Sequence, residues 1–388
     1  MPTASALSAE VKRSDVQRVL VLGGYGAFGG RAAERLARVP NIALTIAGRS
    51  LDKAQAFAAR LAREARAQII PAVLDGAKIG ADDLLQIKPA VLINATGPYQ
   101  AQDYRLARAC IAARAHYLDL ADARTFVTGI AALDAEAHGA GVLVVSGAST
   151  VPGLSGAVVD AHALLFAALN SVSSVIAPGN SFDPGVATTQ LILSDLGRPI
   201  ANGAAKGANG AKGRSVRGWQ GLERRMLPGL GPRWIGHCDA PDRDLFPQRY
   251  AGLKSADVYA ALEVGTFHLG LWGMSWLVRS GLLRSPERLA RPLVAMKRKL
   301  GFLGSDRGGM LVTLEGTGRD GKAKRVDWHL IARNGHGPYI PATASVLLAK
   351  RLLDGTLQKR GAMPCVGLFT LDEFMAEIAD LDITTGTT

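Results

Sequence analysis

The chain has 388 residues, enough for about two domains that each bury a core. With 48% hydrophobic and 20% charged residues it has globular composition, which excludes a disordered or fibrous chain. The net charge of +12 favours anionic partners, but only 6% of residues are aromatic and no arginine-rich tail, zinc-finger spacing or RNA-binding signature is present, so nucleic acid is not expected as a partner.

Residues 1–15 contain no apolar run of signal-peptide length and read as a mobile tail. Cys110, Cys238 and Cys365 are scattered and odd in number. They point to a reducing, cytoplasmic setting and to small buried hydrophobes rather than nucleophiles.

From Val19 the sequence reads VLVLGGYGAFGG, an apolar strand running into a glycine-rich turn, and the following Arg31-Ala-Ala-Glu-Arg-Leu-Ala-Arg favours helix. Gly24, Gly26 and Gly29 have the spacing of a dinucleotide-binding turn. In that turn the first glycine allows the sharp bend, the second leaves room for a pyrophosphate and the third lets helix and strand pack closely. The helix N-terminus that holds the anion is formed by Tyr25, Ala27, Phe28 and their neighbours.

The second strand, Ile42 to Ala47, ends at Gly48-Arg49-Ser50 with no acidic residue to hold a free ribose. Arg49, Ser50 and Lys53 instead suit the 2′-phosphate of NADP. A helix over Leu51 to Ala65 leads to a strand over Ala67 to Leu74 and then to Asp75, which either touches adenine or caps a turn. The strand Ala90 to Asn94 delivers Ala95-Thr96-Gly97-Pro98-Tyr99 at a strand exit where a nicotinamide ribose can lie. Helix, strand His116 to Leu120, helix Phe126 to His138 and strand Val142 to Ser146 complete an alternation that predicts one doubly wound parallel sheet.

At Ser149-Thr150-Val151-Pro152-Gly153 the pattern changes, and a second, mixed α/β domain is expected to start. Residues 16–154 are assigned to the first domain and 155–336 to a substrate or dimerisation domain, whose sheet opens with Val172 to Ala177. Residues 202–213 read as a glycine-rich loop. Val258 to Leu283 is the most apolar stretch, interrupted by Glu263 and His268, and makes a poor spanning helix. Pro286 to Leu300 has Leu289, Leu293, Met296 and Leu300 on one face and basic residues elsewhere. This region, 258–300, packs in the core, pairs with another copy or lies on a membrane surface. Met310 to Glu315 and Arg325 to Ala332 flank Arg319-Asp320-Gly321-Lys322 and predict a hairpin. A helix over Thr343 to Leu353 and the final Phe369 to Ile378 fall in 337–388, expected to return to the first domain.

Several segments together resemble the saccharopine dehydrogenase-like family of NADP-binding oxidoreductases. VLGGYGAFG, INATGPYQ, HYLDLADARTF and SGASTVPGLSG look like its cofactor domain, in the same order; GSDRGGMLVTLEG, DWHLIA and GPYIPATASVLLAKRLLDG resemble the later part of one bacterial branch. The resemblance implies a Rossmann domain, a mixed α/β substrate domain, a homodimer paired through the second sheet, and hydride chemistry on imine, carbonyl or enoyl groups.

Hydride transfer needs the substrate held over the nicotinamide and a group that handles the proton. Tyr99, Asp119 and Asp122 are the candidates at the strand exits, each with a structural alternative as packing or helix cap. His329, Arg333 and His336 are candidates from the second sheet, and His116 reads as structural. The leading expectation is an NADP(H)-dependent oxidoreductase acting on C=N or C=O in an interdomain cleft. The alternatives are a peripheral membrane enoyl or carbonyl reductase on a lipid-like substrate, and a non-catalytic NADP-binding sensor or scaffold.

Overall fold

The computed structural model describes residues 16–100, 102–201 and 216–388. The tail reading of 1–15 and the loop reading of 202–213 lie outside the described residues.

The chain begins with six strands in βα alternation. They are β1 (Gln17–Leu22), α1 (Gly29–Leu36), β2 (Ile42–Gly48), α2 (Leu51–Leu61), β3 (Gln68–Val73), α3 (Ala81–Ile87), β4 (Val91–Asn94), α4 (Arg105–Ala112), β5 (His116–Asp119), α5 (Arg124–Gly129), α6 (Asp134–Ala140) and β6 (Leu143–Ser146). The expected helix over Phe126 to His138 is two helices joined by a 3₁₀ turn at Ile130–Leu133. Val19, Leu20, Val21 and Leu22 are fully buried, as a strand covered on both faces must be. Helix α1 buries Gly29, Gly30, Ala32, Ala33 and Leu36, the single stripe that a 3.6-residue period allows.

The second part of the chain contains α7 (Ser155–Ala163), β7 (Phe166–Ala177), α8 (Gly185–Asp195), β8 (Pro199–Ile200), β9 (Val216–Arg217), β10 (Glu223–Leu227), β11 (Gly231–Cys238), α9 (Asp242–Arg249), β12 (Ser255–Ala260), α10 (Gly265–Arg279), α11 (Ala290–Lys299), β13 (Gly308–Gly318) and β14 (Ala323–Ala332). It ends with α12 (Ile340–Leu353), β15 (Gly361–Pro364), α13 (Leu371–Glu377) and β16 (Ile383–Thr387).

Two sheets follow. The first, β15-β6-β5-β4-β1-β2-β3, is parallel throughout. The second, β10-β11-β12-β7-β13-β14-β16, is mixed: β12 and β7 run parallel, and the other neighbours are antiparallel. The fold is therefore an α/β Rossmann-type doubly wound sheet with a second mixed α/β unit.

Among the described residues, those of 16–153 and 338–368 form one compact unit, and those of 154–337 with 369–388 form the other. The final segment thus divides where a single return to the first sheet was expected. Gly361–Pro364 extends the first sheet beside β6, whereas Ile383–Thr387 pairs with β14 of the second.

The hairpin β13–β14 forms as its turn residues require, with Gly321 at φ +79° and Gly318 N–H bonded to Lys322 O at 2.8 Å. The apolar stretch 258–283 is not one element: its start belongs to β12, and only Gly265–Arg279 is helical. In α11 the buried residues are Ala290 and Val294, while Met296 is 44% exposed, so the expected face is not the one that packs. Lys297 explains the rotation. Its half-buried ammonium donates to the carbonyls of Asn180 and Phe182, which holds that side of the helix inward. Among the described residues no helix is long and apolar enough to cross a membrane.

Candidate cofactor and active site

The turn after β1 is built from its glycines. Gly23, not Gly24, takes the left-handed conformation (φ +74°), and a Cβ there would lie 2.8 Å from Ala95 O. Gly24 instead packs against Val21 O and Ile46, and both Gly23 N–H and Gly24 N–H donate to Ala47 O. A Cβ on Gly29 would sit 2.3 Å from Gly23 O and 2.9 Å from Ala95 Cβ, so helix and strand approach through glycine and a small Ala95. Gly26 differs: a Cβ there would meet only Gly23 O, at 3.1 Å. Beyond that contact its outer side is open.

The N–H groups of Ala27 and Gly29 have no acceptor among the described residues, which leaves donors at the positive end of α1. This cradle fits a dinucleotide pyrophosphate, because free amides converge beside a residue with no side chain.

At the end of β2, Tyr25 bridges the glycine loop and the start of α2. Its hydroxyl accepts Ser50 N–H at 2.9 Å, and its ring covers Gly48, where a Cβ would fall 2.4–2.6 Å from the phenol. Ser50 Oγ caps α2 by accepting Lys53 N–H at 3.4 Å. Arg49 and Lys53 are exposed, and Arg49 makes no hydrogen bond or ion pair among the described residues. Asp75 is a turn cap, with Oδ1 accepting Ala77 N–H at 3.1 Å.

The exit of β4 is held from within. Asn94 is fully buried; its Oδ1 accepts Thr96 N–H and the Thr96 hydroxyl, and its Nδ2 donates to the Tyr117 hydroxyl at 3.1 Å. Gln102 Nε2 donates to the carbonyls of Thr96 and Pro98 and so shapes the Ala95–Pro98 loop. Sequence reasoning missed Gly23, Gln102 and Tyr117. Only Gly23 carried a signal, as the first of two consecutive glycines.

The three proton-handling candidates meet here and separate by environment. Tyr99 is not an open donor: its hydroxyl donates to Asn94 O at 2.8 Å, its ring packs on Phe126, and burial beside Asp119 and Asp122 raises its pKa well above the ordinary value. Asp119 is also turned inward. Its Oδ1 accepts from Ala121 N–H, Ser146 Oγ and Gly147 N–H at 2.9–3.0 Å, which pins the end of β5 to β6, while Oδ2 is buried without a partner. Burial pushes it up to about 6 against those bonds. Asp122 is half-buried and no neighbouring side chain pins it; burial, aided by Asp119, pushes it up to about 6 as well.

The remaining candidates are committed elsewhere. His116 Nδ1 accepts Leu143 N–H at 2.8 Å, and burial beside Arg360 lowers its pKa to about 4. His336 Nδ1 accepts Asp382 N–H at 2.7 Å, Arg333 lies 3.7 Å from the Asp382 carboxylate, and the His329 ring packs under Gly386. All three brace the strand that ends the second sheet.

Residues 19–145 match the family model described as the saccharopine dehydrogenase NADP binding domain. Among solved structures, apo saccharopine dehydrogenase (L-Glu forming) from Saccharomyces cerevisiae has a similar fold, with 14% identity, TM-score 0.63, and coverage of 96% of this chain and 100% of that one. An amine dehydrogenase from Mycobacterium smegmatis matches at 14% identity and TM-score 0.47, covering 93% of this chain and 96% of that one. GenD2 from gentamicin A biosynthesis, in complex with NAD, matches at 15% identity and TM-score 0.42, covering 95% and 94%. The comparison with curated proteins gives no match. The first unit, with its glycine cradle and matched domain, defines an NAD(P)-dependent oxidoreductase whose cofactor is a nicotinamide dinucleotide. Within the first unit, residues 19–145 therefore carry a saccharopine dehydrogenase-type NADP binding domain.

Proposed function

We propose that the protein uses NADP(H) in preference to NAD(H) to transfer hydride to or from a C=N or C=O bond. The observation that carries the preference is the end of β2: a free, exposed Arg49 stands where an NAD-selective fold places an acid. Lys53 and the uncommitted hydroxyl hydrogen of Tyr25 are the supporting donors toward a 2′-phosphate. The cofactor supplies the hydride when bound. The chain's own residues orient it through the loop at Gly23–Gly29 and the strand exit at Asn94–Pro98.

Asp122 is the residue we assign to the proton. It is the one carboxyl of the pair free to face a reactant, and its raised pKa keeps it exchanging protons near pH 6. Asp119 acts as a positioning residue through Ser146, Gly147 and Ala121. The test of selectivity is paired titration of NADPH and NADH. Arg49→Asp weakens NADPH binding by about tenfold or more and NADH binding by less than about threefold. Equal losses would remove the selectivity claim.

A further inference from the structure

Helix α10 buries two polar residues and leaves three large apolar ones exposed. The residues fully buried on Gly265–Arg279 are His268 and Ser275, seven apart on one face. His268 packs against Trp219 with ring centroids 5.3 Å apart, and Ser275 gives close passage to the turn at Gly197, whose Cβ would fall 2.1 Å from Ser275 O. Those contacts fix the helix's rotation. Away from that line stand Leu277, on the opposite side, and Leu269 and Trp276, on the flank between, which are 47%, 38% and 44% exposed. The chain beyond continues the pattern, with Leu282 at 80% and Phe302 at 78%. Exposed apolar side chains in this number mark a contact surface rather than ordinary scatter.

Charge decides what the surface meets. Residues 265–307 carry eight Lys and Arg against two acids, and one of those acids, Glu287, lies 3.8 Å from Arg198. Arg279 lies over the Trp276 ring at 4.7 Å, and Arg284, Arg288, Arg291 and Lys299 are exposed. A second copy would set this basic segment against itself, at a repulsive cost. An anionic lipid surface complements both parts at once, taking tryptophan and leucine at the headgroup boundary and arginine at the headgroups. Fifteen helical residues span about 22 Å, short of a bilayer core of about 30 Å, so the helix lies along the surface. We infer that the segment Gly265–Leu303 docks the protein on an anionic membrane, with the outward face of α10 seated in the headgroup region. This goes beyond the redox reading and does not depend on it.

The test is flotation of the intact protein with vesicles of phosphatidylcholine alone, and with vesicles in which about a third of the lipid is phosphatidylglycerol. The protein floats with the anionic vesicles, stays behind with the neutral ones and is released by salt. Trp276→Ser with Leu277→Ser lowers the partition coefficient by about tenfold or more, with unchanged Tm and NADPH affinity. Arg284→Glu with Arg288→Glu, a separate variant, also lowers it. The inference is overturned if the wild type does not float, or if both variants float like the wild type. A wild type that never floats but sediments as a dimer, which Trp276→Ser with Leu277→Ser turns into a monomer, would assign the face to a contact between copies.

Discussion

Tyr25 joins the glycine turn to the start of α2 in one residue: its backbone belongs to the turn, and its hydroxyl accepts Ser50 N–H. Tyr25→Phe removes that hydrogen bond and the hydroxyl donor proposed for the 2′-phosphate. It weakens NADPH binding by about three- to tenfold and NADH binding less, as read by fluorescence titration. Equal weakening would mean that the phenol only braces the turn. Asp122→Asn lowers kcat by about a hundredfold or more while NADPH affinity is kept, and it removes the limb near pH 6 from the pH profile. An unchanged profile would take the proton role from Asp122. At this scale the sequence was most legible where the requirement lies on the backbone. The glycines announce their turn because no other residue fits it, although the bend itself falls at Gly23 and not at Gly24. The inward turn of Tyr99 and Asp119 was not legible, since Asn94 O, Ser146 and Gly147 meet them only after the strands have paired.

Among the elements, α9 carries an unusual burden at its first residue. Asp242 is 1% exposed, and neither carboxyl oxygen has a hydrogen-bond partner; Ser155 Oγ nearby is likewise unpaired. Burial lifts the carboxyl to about 7, with only a partial pull back from Ser155. The native state therefore binds a proton that the unfolded chain has released between about pH 4 and 7. Stability falls as pH rises through that window and levels off above it. Asp242→Asn removes the slope and is more stable than the parent by about 1–3 kcal/mol at pH 8, with the gain vanishing near pH 4. Parallel denaturant titrations across pH check this, and matching slopes for the two proteins would contradict it. Element type followed from periodicity for β1, α1 and the β13–β14 hairpin, where the pattern runs through the whole element. Periodicity did not set the rotation of α10 or α11. The stretch holding α10 is apolar throughout and names no face, which a histidine fitted to Trp219 decides instead; in α11 the stripe of Leu289, Leu293, Met296 and Leu300 gives way to a lysine reaching Asn180 O.

In the whole molecule, the C-terminal residues serve both units. Tyr339 donates to Glu34 at 2.7 Å, where Arg31 and Arg60 also converge, and Gly361–Pro364 supplies an edge strand to the first sheet. Phe369–Thr388 is part of the second unit. Ending the chain at Gly337 strips a strand from each sheet and abolishes cooperative thermal unfolding; a truncated protein with the parent Tm would contradict this. The alternation of short strands and helices made the first sheet legible from end to end. The split of the last fifty residues was not, because nothing local in Ile383–Thr387 says which sheet edge is open to it. The loop after β1 is where the nicotinamide dinucleotide is expected to sit, and Gly26 is the residue at which this can be measured. A methyl group there asks only a small adjustment of Gly23 O, so the fold is kept, yet it enters the open side of the turn, where the diphosphate is proposed to lie. Fluorescence titration of Gly26→Ala is expected to show NADPH binding weakened by about tenfold or more at an unchanged Tm. Unchanged affinity, or a wild-type protein that binds neither NADPH nor NADH, would contradict the account.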